Sequence, residues 1–298
     1  MKLPLLVRDS AALRRHLAKA KGSVGFVPTM GALHEGHLSL VRRAQRDNGR
    51  VVVSIFVNPT QFGSRDDFSR YPRDVEADRR LLAPLGDLLV YAPDASDVYP
   101  PGFATRVKVG GSLNAVLEAV WRPGHFEGVA TVVARLFALV RPDKAYFGLK
   151  DYQQFLVIKR MCADLELPVA LVGCATVRES DGLAMSSRNR HLDAEARFKA
   201  AALSRALQKM AALASRGERS AQRLRRAGLA VLDRVDGLKT QYLELADPET
   251  LLPIRRLEGQ AVALCACLLG GTRLIDNHPL PASLTLPRRR PGKGTRHA

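Results

Sequence analysis

Short runs that are apolar at almost every position, each followed by a segment with helical spacing, constrain this chain more than any other feature. Val24-Gly25-Phe26-Val27-Pro28 and Val51-Val52-Val53-Ser54-Ile55-Phe56-Val57 are such runs. Leu88-Leu89-Val90-Tyr91, Ala145-Tyr146-Phe147-Gly148 and Val169 to Val177 repeat the pattern. A strand with one face in water alternates apolar and polar residues, whereas a strand apolar throughout is covered on both faces. Between the runs, Leu33, His37, Leu40, Val41 and Ala44 recur at helical spacing, as do Val129, Val132, Val133, Leu136, Leu139 and Val140 before Pro142. Asp151 through Cys162 reads as a further helix. The alternation predicts an α/β fold, a doubly wound parallel sheet of Rossmann-like type over residues 1–178. In that architecture ligands bind at the carboxyl ends of the strands, where the loops 29–33, 58–63 and 148–151 converge.

The pattern changes after Arg190. Leu203, Leu207, Met210 and Ala214 form a helical stripe that Arg216-Gly217 ends, and Ser220 is placed to cap a second helix carrying Leu224, Ala227, Val231 and Val235. Three β-like runs follow, at 241–245, 261–268 and 272–275. A second, smaller α+β domain is expected over residues 191–286, acting as a lid, with the loop 177–190 between the two units. The basic tail at 287–298 is expected to be disordered.

Charge and apolar content limit the function classes. The chain carries 46 Lys+Arg against 29 Asp+Glu, a net charge of +17, which suggests an anionic partner. Five of those positives lie in the tail, and ten Lys/Arg against four Asp/Glu lie between Asp193 and Arg234. Basic tails and basic helical surfaces are commonly just solvated, so no nucleic-acid partner is expected. No apolar run approaches the ~20 residues of a membrane-spanning helix, and Arg8-Asp9 cut off the N-terminal apolar stretch before a signal could form. The expected location is the cytoplasm, with no membrane partner. Cys162, Cys174, Cys265 and Cys267 form no C-x-x-C pair and read as buried free thiols.

His34 and His37 are the first residues with chemistry to offer. Three apart at the start of a helix, they share one face one turn apart. The helix N-terminus adds unpaired N–H groups and a partial positive charge, a natural seat for phosphate. Gly36 lets a nucleobase or ribose approach the backbone. The plainer reading is a pair of histidines that cap a helix. A zinc hydrolase would need the second His one residue later, and no third ligand is evident.

The stretch Pro28-Thr29-Met30-Gly31-Ala32-Leu33-His34-Glu35-Gly36-His37 resembles the nucleotide-binding segment of the pantothenate synthetases, whose H-x-G-H element is shared with class I aminoacyl-tRNA synthetases and related nucleotidylyltransferases. Phe56-Val57-Asn58-Pro59-Thr60-Gln61-Phe62, Tyr71-Pro72-Arg73, Arg122-Pro123-Gly124-His125-Phe126, Lys150-Asp151-Tyr152-Gln153-Gln154 and Met185-Ser186-Ser187-Arg188-Asn189 match that family in the same order. The resemblance covers essentially residues 1–285. It implies an AMP-forming ligase working in two steps. Pantoate's carboxylate attacks the α-phosphorus of ATP to give pantoyl-adenylate and pyrophosphate, and the amine of beta-alanine then displaces AMP to leave pantothenate. It also implies a homodimer.

The residue roles that follow are implied by the resemblance. ATP is met by Met30, Gly31, Ala32, Leu33, His34, Glu35, Gly36 and His37, with His37 as proton donor or phosphate stabiliser and His34 beside it. Lys150 supplies positive charge to the phosphates as the third catalytic residue. Gly148, Leu149, Asp151 and the backbone of Val177 complete the nucleotide site. Asp151 either orients the ribose or caps the following helix. Met185, Ser186, Ser187 and Arg188 correspond to a mobile loop that closes over the β- and γ-phosphates. Gln61 and Gln154 hold pantoate, Gln61 also meets beta-alanine, and Asn58 lies in the same pocket. Mg²⁺ accompanies ATP, with Asp78 as its candidate ligand. His125 shapes the pocket rather than reacting. The family usually has an acidic residue where this chain has Leu149, so side-chain contacts there are lost while backbone contacts survive. Two other readings stand beside this one: a nucleotidylyltransferase with another acceptor, and an RNA-binding protein on a synthetase fold.

Overall fold

Among the described residues, six strands form one sheet: β1 (Leu5–Val7), β2 (Val24–Thr29), β3 (Arg50–Ile55), β4 (Leu89–Tyr91), β5 (Lys144–Gly148) and β6 (Ala170–Cys174). They pair in the order β1-β4-β3-β2-β5-β6, and every pairing is parallel. The computed structural model describes residues 2–19, 21–63 and 65–280, apart from the side chains of 65–67. The basic tail at 287–298, with the segment 281–286 before it, lies outside the described residues.

The apolar runs are explained by two cores, one on each face of the sheet. Phe26, Val52, Leu89, Tyr91, Ala145 and Phe147 join the core that takes in the helices His125–Val140 and Tyr152–Asp164. Their neighbours Val27, Val51, Val53, Val90 and Tyr146 join the opposite core, with Leu40 and Val41 of the helix Glu35–Asp47 and Leu82 of the helix Val75–Leu82. Successive residues of a strand point to opposite faces, so a strand buried on both sides has no polar position to spare. β3 and β6 stop earlier than their apolar runs. Thr29 pairs with Ile55 and Gly148 with Cys174, and beyond those pairs the neighbouring strand has ended. The three-residue β1 escapes any reading by periodicity.

The chain passes from β2 to β3 on one side and from β5 to β6 on the other, so the sheet order reverses between β2 and β5. That reversal opens a crevice at the carboxyl ends of these two strands.

The second sheet is antiparallel, with β7 (Leu238–Ala246), β8 (Ala261–Leu269) and β9 (Thr272–Leu280) in the order β7-β8-β9. Ala263, Cys265 and Cys267 of β8 pack with the helices Ala202–Ser215 and Ala221–Leu232, while Val262, Leu264 and Ala266 enter the core of the large sheet. β8 therefore reads as apolar throughout because different parts of the molecule cover its two faces. Gly217, at φ +100°, follows the first of these helices, and Ser220 caps the second through the N–H of Arg223 at 3.4 Å. All four cysteines are free, and burial pushes the thiols of Cys162 and Cys267 up to about 11. Among the described residues no helix is long and apolar enough to cross a membrane.

A buried carboxylate ties the short helix Glu118–Trp121 to the second sheet. Glu118 accepts from both terminal nitrogens of Arg273 on β9, at 2.6 and 2.7 Å, and from the Tyr242 hydroxyl of β7 at 2.7 Å. Burial alone would raise its pKa, and the guanidinium of Arg273 outweighs this and holds it below the usual carboxylate value.

Candidate active site

After β2 the chain turns through Gly31 and Ala32, both at positive φ (+80° and +49°), before entering the helix at Glu35. A non-glycine residue in that region needs support from around it. The support comes from four hydrogen bonds that use every backbone polar group of Ala32 and Leu33. The N–H groups of Ala32 and Leu33 donate to the two oxygens of buried Asp78, at 3.0 and 2.7 Å. Their carbonyls accept from Ser187 Oγ at 2.9 Å and Arg190 Nη2 at 3.1 Å.

The helix then starts on a reciprocal cap made by two imidazoles. His34 Nδ1 accepts from the Gly36 N–H at 3.1 Å, and the His34 N–H donates to His37 Nδ1 at 3.3 Å. With each Nδ1 an acceptor, each ring carries its hydrogen on Nε2. The ring centroids are 4.1 Å apart. Burial, then Lys150 and Arg190, lowers His34 to about 4, and burial, then His34, lowers His37 to about 3. Both rings are therefore neutral at pH 7. Burial beside cations disfavours the imidazolium on either ring. What the pair offers is two Nε2–H hydrogen-bond donors. Gly36 is required here because a Cβ would lie 2.8 Å from His34 Cε1.

Across the crevice, the turn Pro59–Gln61 is capped by Asn58, which is 1% exposed. Asn58 Nδ2 donates to Gln61 Oε1 at 3.0 Å and Gly128 O at 3.1 Å, while its Oδ1 accepts from Thr60 Oγ1 and the Tyr99 hydroxyl at 2.9 and 2.8 Å. Its polar atoms are thus committed to the protein, and Asn58 sets the orientation of Gln61 rather than offering atoms to a substrate. The Gln61 carbonyl is held by His125 Nδ1 at 2.8 Å and Arg122 Nη2 at 3.3 Å. Burial, then Arg122, lowers His125 to about 4, so this ring too is neutral. The helix His125–Val140 comes so close that a Cβ on Gly128 would lie 2.3 Å from Thr60 O.

The third wall follows β5. Lys150 Nζ lies 3.6 Å from Asp151 Oδ1. Burial would raise the Asp151 carboxyl, but Lys150, Arg188 and Arg122 outweigh it and hold it below its usual value. Ser186 caps the turn Ser187–His191 through the Arg188 N–H at 3.3 Å. The Met185 N–H donates to Val177 O at 3.0 Å.

One cleft brings together Met30, His34, Gly36 and His37 from the first wall, with Asn58, Gln61 and Gln154 from the second. Gly148, Lys150, Asp151, Val177, Met185, Ser186, Ser187 and Arg188 line it as well. Five residues expected at the nucleotide lie outside the lining. Gly31, Ala32 and Leu33 are buried under it, Glu35 pairs with Arg42 at the surface, and the Leu149 side chain packs over Gly173. Arg122, His125 and Tyr71 line the cleft without having been assigned a ligand.

Asp78 does not fit a magnesium ligand. Such a ligand needs an oxygen directed at the ion, and both of its oxygens are filled by backbone donors outside the cleft lining. Among the described residues no group of three or more His, Cys, Asp or Glu could hold a metal. Asp151 is the sole carboxylate lining the cleft among them.

A family model described as pantoate-beta-alanine ligase matches residues 5–279. The chain belongs to the pantoate–beta-alanine ligase family. The pantothenate synthetase of Thermus thermophilus is 55% identical over 271 residues, 91% of this chain and 97% of that one. That of Cereibacter sphaeroides is 52% identical over 282 residues, 93% of this chain and all of its own. A crystal structure of the Thermus thermophilus synthetase superposes with a TM-score of 0.89 at 53% identity, covering 92% of this chain and 98% of that one. The pantoate-beta-alanine ligase from Francisella tularensis, solved with beta-gamma ATP and beta-alanine, gives a TM-score of 0.76 at 32% identity, covering 92% and 96%. Pantoate–beta-alanine ligases thus share both the two-sheet architecture and nearly the full length of this chain.

Proposed function

We propose that the cleft condenses pantoate with beta-alanine to give pantothenate, AMP and pyrophosphate through a pantoyl-adenylate, with ATP as co-substrate. The observation that carries this reading is the convergence, at the β2/β5 reversal, of three kinds of wall. Two neutral imidazole donors stand at a helix start. Lys150 and Arg188 bring positive charge, and Gln61 and Gln154 bring amides. A carboxylate is a poor acyl donor, and joining it to AMP gives it a good leaving group. The protein's task is to hold the acid in line with the α-phosphorus and to stabilise charge as pyrophosphate departs.

In this reading His34 and His37 donate through Nε2 to phosphate oxygens, and the bonds strengthen as negative charge builds. Lys150 adds a fixed positive charge, and Ser186 and Arg188 bind the outer phosphates. Gln61, set by Asn58, Arg122 and His125, and Gln154 hold the hydroxyls and carboxylate of pantoate. Gly148, Val177 and Met185 enclose the nucleoside. Mg²⁺ is carried in on phosphate oxygens, without a ligand set from this chain. The unit 1–178 binds ATP and pantoate, and the unit 191–286 covers them. The same reading extends to a homodimer in the cytoplasm, and sedimentation equilibrium tests the dimer.

The direct test is to incubate the protein with Mg-ATP, pantoate and beta-alanine and to measure AMP and pantothenate. Both should appear in equal amounts and only when all three substrates are present. No AMP above background between pH 6 and 9 would sink the proposal.

A further inference from the structure

The turn that carries Lys150 is held from the other sheet. Asn277, buried on β9, donates from Nδ2 to Leu149 O at 2.8 Å and to Lys150 O at 2.9 Å. A primary amide nitrogen has two hydrogens, and here both are spent on consecutive carbonyls of one short turn. Leu, Ser or Asp at this position could not supply that pair of donors. The Asn277 N–H donates to Asp276 Oδ1 at 2.8 Å, and its carbonyl accepts from Arg178 Nη2 at 3.1 Å.

Asp276 serves the other phosphate-handling segment. Buried at 2% exposure, it accepts from Arg178 Nη1 at 2.7 Å and from Nη2 at 3.0 Å. Arg178 Nη1 also donates to Gly182 O at 3.0 Å, and Arg178 pairs with Ala184 in a bridge that leads directly into Met185–Arg188. Two adjacent residues of β9 therefore fasten both the Lys150 turn and the base of the segment bearing Arg188. Lys150 ends in a flexible four-carbon stem, so its reach to a phosphate depends on where its backbone is fixed.

We infer that Asn277 is a positioning residue for Lys150: by clamping the Leu149 and Lys150 carbonyls it makes the adenylation step depend on the small sheet. The inference rests on the phosphate role of Lys150 in the proposed ligase reaction. Asn277 does not line the cleft. Its effect should fall on the step in which phosphate charge develops and should spare the attack of the amine on a ready-made acyl-adenylate.

The test compares the full-length protein with its Asn277→Ala and Asn277→Asp variants, the second keeping the side-chain volume while removing both donors. Two rates are read: pantoate-dependent ATP–pyrophosphate exchange, and beta-alanine-dependent consumption of chemically supplied pantoyl-adenylate. Small misplacements near the reacting atoms cost up to about a hundredfold, so exchange should fall about ten- to a hundredfold in both variants. Adenylate consumption should stay within about twofold of the unmodified protein, and Asn277→Ala should cost no more than about twofold further in a Lys150→Ala background. Exchange unchanged in both variants would overturn the inference. So would an equal fall in both rates, which marks a merely structural residue, or losses that multiply with Lys150→Ala. If the unmodified protein shows no exchange, the ligase reading itself fails and this inference with it.

Discussion

The two sides of the cleft are held in place by different means. On the His34–His37 side, the bonds that set the rings join residues two and three apart, so a few consecutive residues determine the geometry. On the Lys150 side, the anchoring bonds span 127 and 128 residues to Asn277, and the neighbouring Arg178–Asp276 pair spans 98. The rings of one wall are set locally, whereas the turn of the other is anchored only once both sheets have met. A site built in this way can keep its donors pre-aimed while the placement of its cations follows the packing of a second unit.

The largest effect is expected at the local wall. His37→Ala removes one Nε2–H donor and half of the reciprocal cap. Losing a donor aimed at developing charge costs roughly 10²–10³-fold in rate, so pantoate-dependent ATP–pyrophosphate exchange should fall by that factor while the fold persists. Exchange at the unmodified rate would break the comparison at this end.

Acid should loosen the histidine-bearing walls, at the helix start and at the Gln61 turn. His34, His37 and His125 are lowered from 6.5 to about 4, 3 and 4, so the unfolded chain takes up protons that the folded chain refuses. Their contribution to stability is full above pH 6.5 and is lost as pH falls through the window towards 4. Thermal midpoints measured from pH 7.5 to 5 should drop steadily, and His125→Asn should make the slope shallower. Midpoints that stay flat over that range would contradict neutral rings in the folded protein.

Smaller effects are expected in the Ala32–Leu33 loop, which draws on both kinds of support. Asp78→Asn turns an NH₂ towards a backbone N–H, leaving a buried donor unsatisfied at a cost of about 1–3 kcal/mol. Urea denaturation reads that loss directly, and KM for ATP should rise with it. Unchanged stability would mean that the loop does not depend on this carboxylate. The smallest change is Ser187→Ala, which removes one hydrogen bond to Ala32 O and should cost about 1 kcal/mol in the same experiment. A loss as large as that of Asp78→Asn would show that the remote tie dominates.

The same contrast explains what could be read in the sequence. The runs at Val24, Val51, Leu88 and Ala145 declare strands because burial on both faces leaves its mark on every residue. His34 and His37 declare a helix-start site because their roles depend on spacing alone. Lys150, Gln154 and Arg188 have no such local mark and were legible only through resemblance to the family. Asp78 looked like a metal ligand because nothing local reveals that its partners are backbone N–H groups 45 and 46 residues away. Leu149 was assigned by its place in a motif, yet its side chain fills the space over Gly173. Asn277 and Arg273 carry no local mark beyond the polar pair Asp276-Asn277 that follows Leu274-Ile275. Polar side chains buried in a strand must have partners, and finding those partners requires the fold.

The four bonds on Ala32 and Leu33 also fix an order of assembly. Two of them close loops of 155 and 157 residues, to Ser187 and Arg190. A chain emerging from the ribosome can pair β2 with β3 long before residue 190 exists, but its nucleotide loop must wait without half of its ties. Contacts between residues so far apart in sequence form slowly because chain entropy opposes closure. The sheet is therefore expected to be protected early in refolding. Amides beside the histidine pair should gain their protection late, in step with the segment that carries Arg188, so that binding competence arrives as the last event of folding.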